Sequence, residues 1–208
     1  MAAFRAAVST DAGIECDVRL AGDGSVVVIH DADLDRMSHV ALQVERTPAA
    51  FLLGQSLSET DQYIPALRQT LELVAGRVPL LLELKTRDGN AESLSREVLA
   101  DLSIYQGEVG VMSFDPRVGR WFSKHAPEIR RGIVIGAKES VLRRWAKLRT
   151  SRAQFAAVET ALVPTRWAQD LRRRMAVATW TVRTAGQRET LANQVDALIW
   201  EGDGRPRN

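Results

Sequence analysis

The sequence predicts an α/β fold, a parallel sheet or barrel built by alternating strands and helices. Two observations carry that prediction. Short apolar, often β-branched runs recur along the chain, and stretches of helical period separate most of them. A third observation refines it: the turn between the first two runs is too short for a parallel crossover, which needs about a dozen residues.

Residues 1–8 read as a helix. Residues 14–18 form the first run, in which Glu15 and Asp17 share one face and Cys16 faces the other way with Ile14 and Val18. The turn-forming Ala21-Gly22-Asp23-Gly24 leads into residues 26–30, so the chain reverses and His30 and Asp31 end the second strand near the carboxylates. Residues 39–60 are the least regular part and read as a loop or small insertion over one end. A helix over 65–74 follows, with Pro65 near its start and Gly76 past its end. Strands are then expected at 78–84, 109–114, 132–135, 155–159, 176–182 and 197–200. The intervening helices are expected at 92–102, 116–125, 139–148, 165–174 and 187–195. Of these eight strand candidates one belongs to the hairpin, leaving seven parallel strands. A barrel of this kind needs about eight, and the topology suggests a missing first strand before the helical residues 1–8.

The 208 residues fit a single domain. Apolar residues make up 45% and charged residues 26%, as in an ordinary soluble protein, and no apolar run nears a membrane span. Residues 1–8 carry Arg5 and no continuous apolar core of a signal peptide. Cys16 is the only cysteine, which excludes an intrachain disulfide and a thiolate metal site, and a cytoplasmic location is expected. Basic clusters occur at Arg130-Arg131, at residues 143–152 around Trp145, and at Arg172-Arg173-Arg174. They are expected on the outer faces of amphipathic helices, interspersed with Glu139, Glu159 and Asp170, and the net charge is only +2. Nucleic-acid binding is therefore not expected.

Chemistry is expected at the C-terminal ends of the strands. Glu15 and Asp17 repel each other and need a cation, a shared proton or solvation; an ordinary exposed hairpin is the alternative. Other runs end in Glu83-Leu84-Lys85, Ser113-Phe114-Asp115, Trp180-Thr181-Val182 and Trp200-Glu201-Gly202. Asp115 before Pro116 reads as a helix N-cap. Asp31 reads as a turn cap or as a residue that orients His30, and Glu201 as a loop carboxylate. His39 and His125 are expected to have surface roles.

Taken together, the chain resembles the glycerophosphodiester phosphodiesterase family. The resemblance runs through Glu15-Cys16-Asp17-Val18, Asp23-Gly24, Val28-Ile29-His30-Asp31 and Leu34-Asp35-Arg36. It continues through Ile64-Pro65-Ala66-Leu67, Glu83-Leu84-Lys85, Ser113-Phe114-Asp115, Trp180-Thr181-Val182 and Ile199-Trp200-Glu201-Gly202.

The resemblance implies a (β/α)8 TIM barrel and hydrolysis of a glycerophosphodiester to glycerol phosphate and an alcohol, as in phospholipid-headgroup metabolism. It implies metal ligation by Glu15, Asp17 and Glu83, a set of oxygens suited to Mg2+ or Ca2+. It implies a phosphate contact from Lys85, proton transfer by His30 and an alcohol-side contact from Trp180. The family's first strand carries a His-Arg-Gly signature that does not occur in these residues. The expected barrel is therefore incomplete, and the 208-residue chain is expected to have little activity of its own. The alternative is a barrel that only binds metal or phosphoesters.

Overall fold

The turn Ala21–Gly24 sets the start of the fold. Gly24 takes a positive φ of 88°, and its amide donates to Ala21 O at 3.0 Å. Asp23 accepts from the Ser25 amide at 3.0 Å and from the Ala49 amide at 2.9 Å, tying the turn to a following helix. Gly22 packs so close to Arg46 that a side-chain carbon would sit 2.8 Å from its carbonyl carbon.

The computed structural model describes residues 1–58, 60–87 and 89–205. In chain order the elements are α1 (Ala2–Ser9), β1 (Ile14–Leu20), β2 (Val26–Val28), α2 (Asp35–Ser38), α3 (Ala49–Leu53) and α4 (Leu67–Val74). Then come β3 (Leu80–Leu84), α5 (Ala91–Leu102), β4 (Val109–Ser113), α6 (Pro116–His125), β5 (Arg130–Ile135) and α7 (Val141–Ser151). The chain ends with β6 (Phe155–Glu159), α8 (Arg166–Arg172), β7 (Ala176–Val182), α9 (Ala185–Leu191) and β8 (Ala197–Trp200). Strand and helix alternate as the sequence predicts, in an α/β fold whose eight described strands are mostly parallel. No described helix is long and apolar enough to cross a membrane.

Contacts divide the chain into two compact units, Met1–Val111 with Lys124–Ile129, and Met112–Ser123 with Arg130–Asn208. In the first, β1 pairs antiparallel with β2 (Val18 opposite Val28) and parallel with β3 (Ile14 opposite Leu80). Ile14, Cys16 and Val18 are buried while Glu15 and Asp17 are half-buried, the alternation expected of a strand with one covered face. Strand β2 stops at Val28, earlier than the sequence suggests, and His30 lies in the segment beyond it.

The described stretch 39–58 is more ordered than a loop. It holds a 3₁₀ turn (Val44–Arg46) and α3, and Val44, Ala49 and Leu52 bury against Ala21, Val27, Ile29, Leu34 and Ile64. These elements are so short that no apolar period shows in the sequence, and tertiary burial organises them.

In the second unit β5, β6, β7 and β8 run parallel in that order. Its core includes Ile133, Ile135, Ala156, Val158, Leu171, Val177 and Val182. Ser140, Thr165 and Thr184 cap α7, α8 and α9, each side chain accepting the backbone amide three residues on. The basic cluster at 143–152 departs from expectation, because Arg144 and Lys147 are buried rather than on an outer face. Lys147 donates to Val134 O at 2.8 Å and to Glu139 at 2.7 Å, and Arg144 donates to Ala137 O at 2.8 Å. Carbonyls at and just beyond the end of β5 and the carboxylate of Glu139 receive these buried cations, while Arg144 Nε has no hydrogen-bond partner among the described residues.

Candidate active site

The parallel register of β1 and β3 sets Asp17 opposite Glu83 and Glu15 opposite Leu81. Glu15, Asp17 and Glu83 each present a carboxylate oxygen, and these oxygens all lie within 4.8 Å of one another. Lys85 follows Glu83 at the spacing that returns a side chain to the same face, and its ammonium completes the group. Its Nζ is 2.5 Å from Glu83 Oε1 and 3.1 Å from Asp17 Oδ1. The Lys85 amide donates to Val18 O at 3.0 Å, which carries the strand pairing one residue past β3 and holds the lysine at the rim.

The electrostatics follow from crowding. Burial, then Asp17 and Glu83 beside it, push the Glu15 carboxyl up to about 8, against the pull of Lys85. Glu83 is raised chiefly by burial, with Lys85 opposing and Asp17 adding to the rise. Burial by itself would lower Lys85, but Glu83 and Asp17 hold it above the ordinary amine range. Three carboxylates therefore share one ammonium in a poorly solvated corner, an arrangement that favours a further positive charge. Cys16 is buried on the opposite side of β1, and burial pushes its thiol up, so it stays protonated and inert.

His30 stands close enough to bear electrostatically on Glu83. Its side chain is 64% exposed, and Nδ1 lies 2.7 Å from Asp31 Oδ1. Arg36 Nε donates to the other Asp31 oxygen at 2.8 Å. Hydrogen bonding from Arg36, and then from His30, holds the Asp31 carboxyl below its usual range although partial burial opposes this. The His30 carbonyl accepts from Arg19 Nε at 2.9 Å, and Arg19 Nη1 pairs with Glu45 at 2.9 Å.

Trp180 lies in the second unit on β7, where its indole donates to Ala157 O at 3.1 Å. It meets Phe114 edge to face, with ring centroids 5.5 Å apart. Asp115 accepts the Arg117 amide at 2.9 Å, as an N-cap does, and Glu201 is exposed beside Arg183. His39 ends α2 in a left-handed conformation, and His125 is exposed at the end of α6.

Arg19 is a further residue of this group that no motif marks. The signal was present: Arg19 continues the period-two series Glu15, Asp17 along β1. Arg36 was visible only as part of a motif, because its link to Asp31 depends on the path of the loop.

The model of the glycerophosphoryl diester phosphodiesterase family matches residues 1–201. The chain belongs to this family. A family relative, the glycerophosphodiester phosphodiesterase of Caldanaerobacter subterraneus subsp. tengcongensis, is 27% identical over 146 residues, a match covering 64% of this chain. The chain spans 59% of the length of that curated relative. Among solved structures, an Oleispira antarctica phosphodiesterase in complex with the product sn-glycerol-3-phosphate superposes with a TM-score of 0.87 at 22% identity. That superposition covers 98% of this chain and 87% of the other. A glycerophosphodiester phosphodiesterase from Parabacteroides distasonis gives 0.79 at 20% identity, over 94% and 82% of the two chains. At these identities the solved structures establish a shared fold.

Proposed function

We propose that this protein is a metal-dependent phosphodiesterase that hydrolyses a glycerophosphodiester to a glycerol phosphate and an alcohol. The observation that carries the proposal is the convergence of Glu15, Asp17 and Glu83 within 4.8 Å, with Lys85 against two of them. Family membership supports the reaction class, and the product named in the Oleispira antarctica structure supports the glycerol phosphate half of the substrate. The match over residues 1–201 also supports reading the whole chain as one domain. The hairpin β1–β2 supports the finer barrel reading, because it takes β2 out of the parallel series.

The residues present fit a divalent cation. Their donors are all carboxylate oxygens, which suit a hard ion such as Mg2+ or Ca2+, and the Lys85 ammonium is set against two of them. When bound, such an ion supplies Lewis-acid charge to the phosphate oxygens.

The rest of the chemistry is assigned to the chain's own groups. Lys85 offers its ammonium to a phosphate oxygen. His30 exchanges a proton with an oxygen on phosphorus as water adds to the phosphorus and the bond to the alcohol oxygen breaks. The proton lost by water ends on that alcohol. Trp180 contacts the alcohol portion, a role supported by its family segment Trp180-Thr181-Val182.

The test is release of glycerol phosphate from a glycerophosphodiester, or of nitrophenol from bis(p-nitrophenyl) phosphate, with Mg2+, with Ca2+ and with chelator. Metal-dependent turnover that Glu83→Gln abolishes supports the proposal. Turnover that survives both chelation and Glu83→Gln overturns it.

A further inference from the structure

We infer that Asp31, clamped by Arg36, is a positioning residue that fixes the ring of His30 and its Nδ1–H tautomer, leaving Nε2 as the working nitrogen; the catalytic part of this rests on the phosphodiesterase reading above.

The geometry needs such a device. His30 lies past the end of β2, so the strand ladder does not hold its ring, and the side chain is largely in solvent. Its main chain is anchored: the Ile29 amide donates to Asp17 O at 2.9 Å, and Arg19, braced by Glu45, takes the His30 carbonyl. What remains free is rotation of the side chain.

Asp31 removes that freedom. Its Oδ1 is 2.7 Å from Nδ1 while Arg36 takes Oδ2, so both carboxylate oxygens have a charged or ring partner. An ionised carboxylate only accepts hydrogen bonds, so Nδ1 must be the nitrogen that carries hydrogen. Arg36 keeps Asp31 ionised, consistent with the depressed Asp31 carboxyl. Nε2 is then unprotonated in the neutral ring and accepts a proton; in the charged ring it gives that proton back. A plain surface ion pair would contribute little and leave the ring's behaviour unchanged, which is the distinction to test.

The experiment is long-range 1H–15N correlation NMR on the full chain labelled at histidine nitrogens. The signals of the three histidines are assigned with His30→Gln, His39→Gln and His125→Gln. Neutral His30 is expected as the Nδ1–H tautomer, and Asp31→Ala is expected to move it toward the Nε2–H form that free imidazole side chains prefer. Arg36→Ala, at an exposed side chain that leaves the fold intact, is expected to produce part of the same change. Asp31→Glu is expected to restore part of it.

In turnover, Asp31→Ala is expected to lower kcat by about 100-fold with KM little changed. An Nδ1–H signal that persists in Asp31→Ala overturns the inference. So does a switched tautomer with unchanged kcat. The tautomer is read without substrate, so the NMR decides whether Asp31 positions His30 whatever the turnover of the 208-residue chain.

Discussion

Asp17 and Glu83 are register partners across the parallel β1–β3 pair. Their side chains leave neighbouring strands at the same level, and Lys85 bridges them from the next position on the same face. The carboxylate cluster is therefore built into the sheet, on two neighbouring strands. Changes to its charge are expected to alter chemistry and electrostatics before they alter the fold.

Glu83→Gln keeps the shape of the side chain and removes one charge from the cluster. Metal-dependent hydrolysis is expected to fall by about 10²- to 10³-fold. Divalent-ion affinity measured by calorimetry should fall with it, while the far-ultraviolet circular dichroism stays unchanged. Equal metal affinity in the variant and the parent would count against Glu83 as a ligand.

Lys85→Met is expected to act in the opposite sense on the metal-free protein. It removes the ammonium from three crowded carboxylates, and breaking a pair of this kind costs about 3–5 kcal/mol. Added Mg2+ or Ca2+ should recover much of the loss. Urea unfolding of parent and variant, with chelator and with metal, checks both halves.

The raised Glu15 carboxyl gives stability a pH dependence whose sign can be worked out. Its folded value is about 8, above the ordinary 4.5, so between these values the folded state binds more protons than the unfolded state. The contribution is fully present below about pH 4.5 and is lost as pH rises toward about pH 8. Metal-free protein should therefore unfold at lower urea near pH 8 than near pH 5. Saturating metal should flatten that slope, and its binding near pH 7 should release about one proton, measurable by calorimetry in buffers of different ionisation enthalpy.

Leu52 tests whether residues 39–58 are a folded part of the structure. It is fully buried on α3 among Val27, Leu34 and Val44, so Leu52→Ala is expected to cost about 2–5 kcal/mol. A thermal shift near zero would mean that this stretch does not pack as described.

Much of the architecture was legible because its signals are local. The runs ending at Glu159, Val182 and Trp200 are bounded by turn residues and match their strands end to end, as the helix Pro116–His125 does its own. The faces of Glu15, Asp17 and Cys16 follow from the period of two. The boundaries that shifted did so for tertiary reasons. β2 ends at Val28, and beyond it the Ile29 amide on Asp17 O, Arg19 on the His30 carbonyl and Asp31 on the ring hold the segment. Arg144 and Lys147 look like surface charges in sequence, since a helical period places them without naming the carbonyls and Glu139 that receive them.

The stretch Gly13–Asp31 shows where the division falls. By itself the sequence determined that Glu15 and Asp17 share a face, that the chain turns back after them, and that a histidine follows, since each depends on neighbours along the chain. The tertiary structure decided that Asp17 stands opposite Glu83, that Lys85 closes the cluster, and that Asp31 divides its oxygens between His30 and Arg36. Those relations depend on strand register and loop path, which distant residues set by burying their apolar faces together.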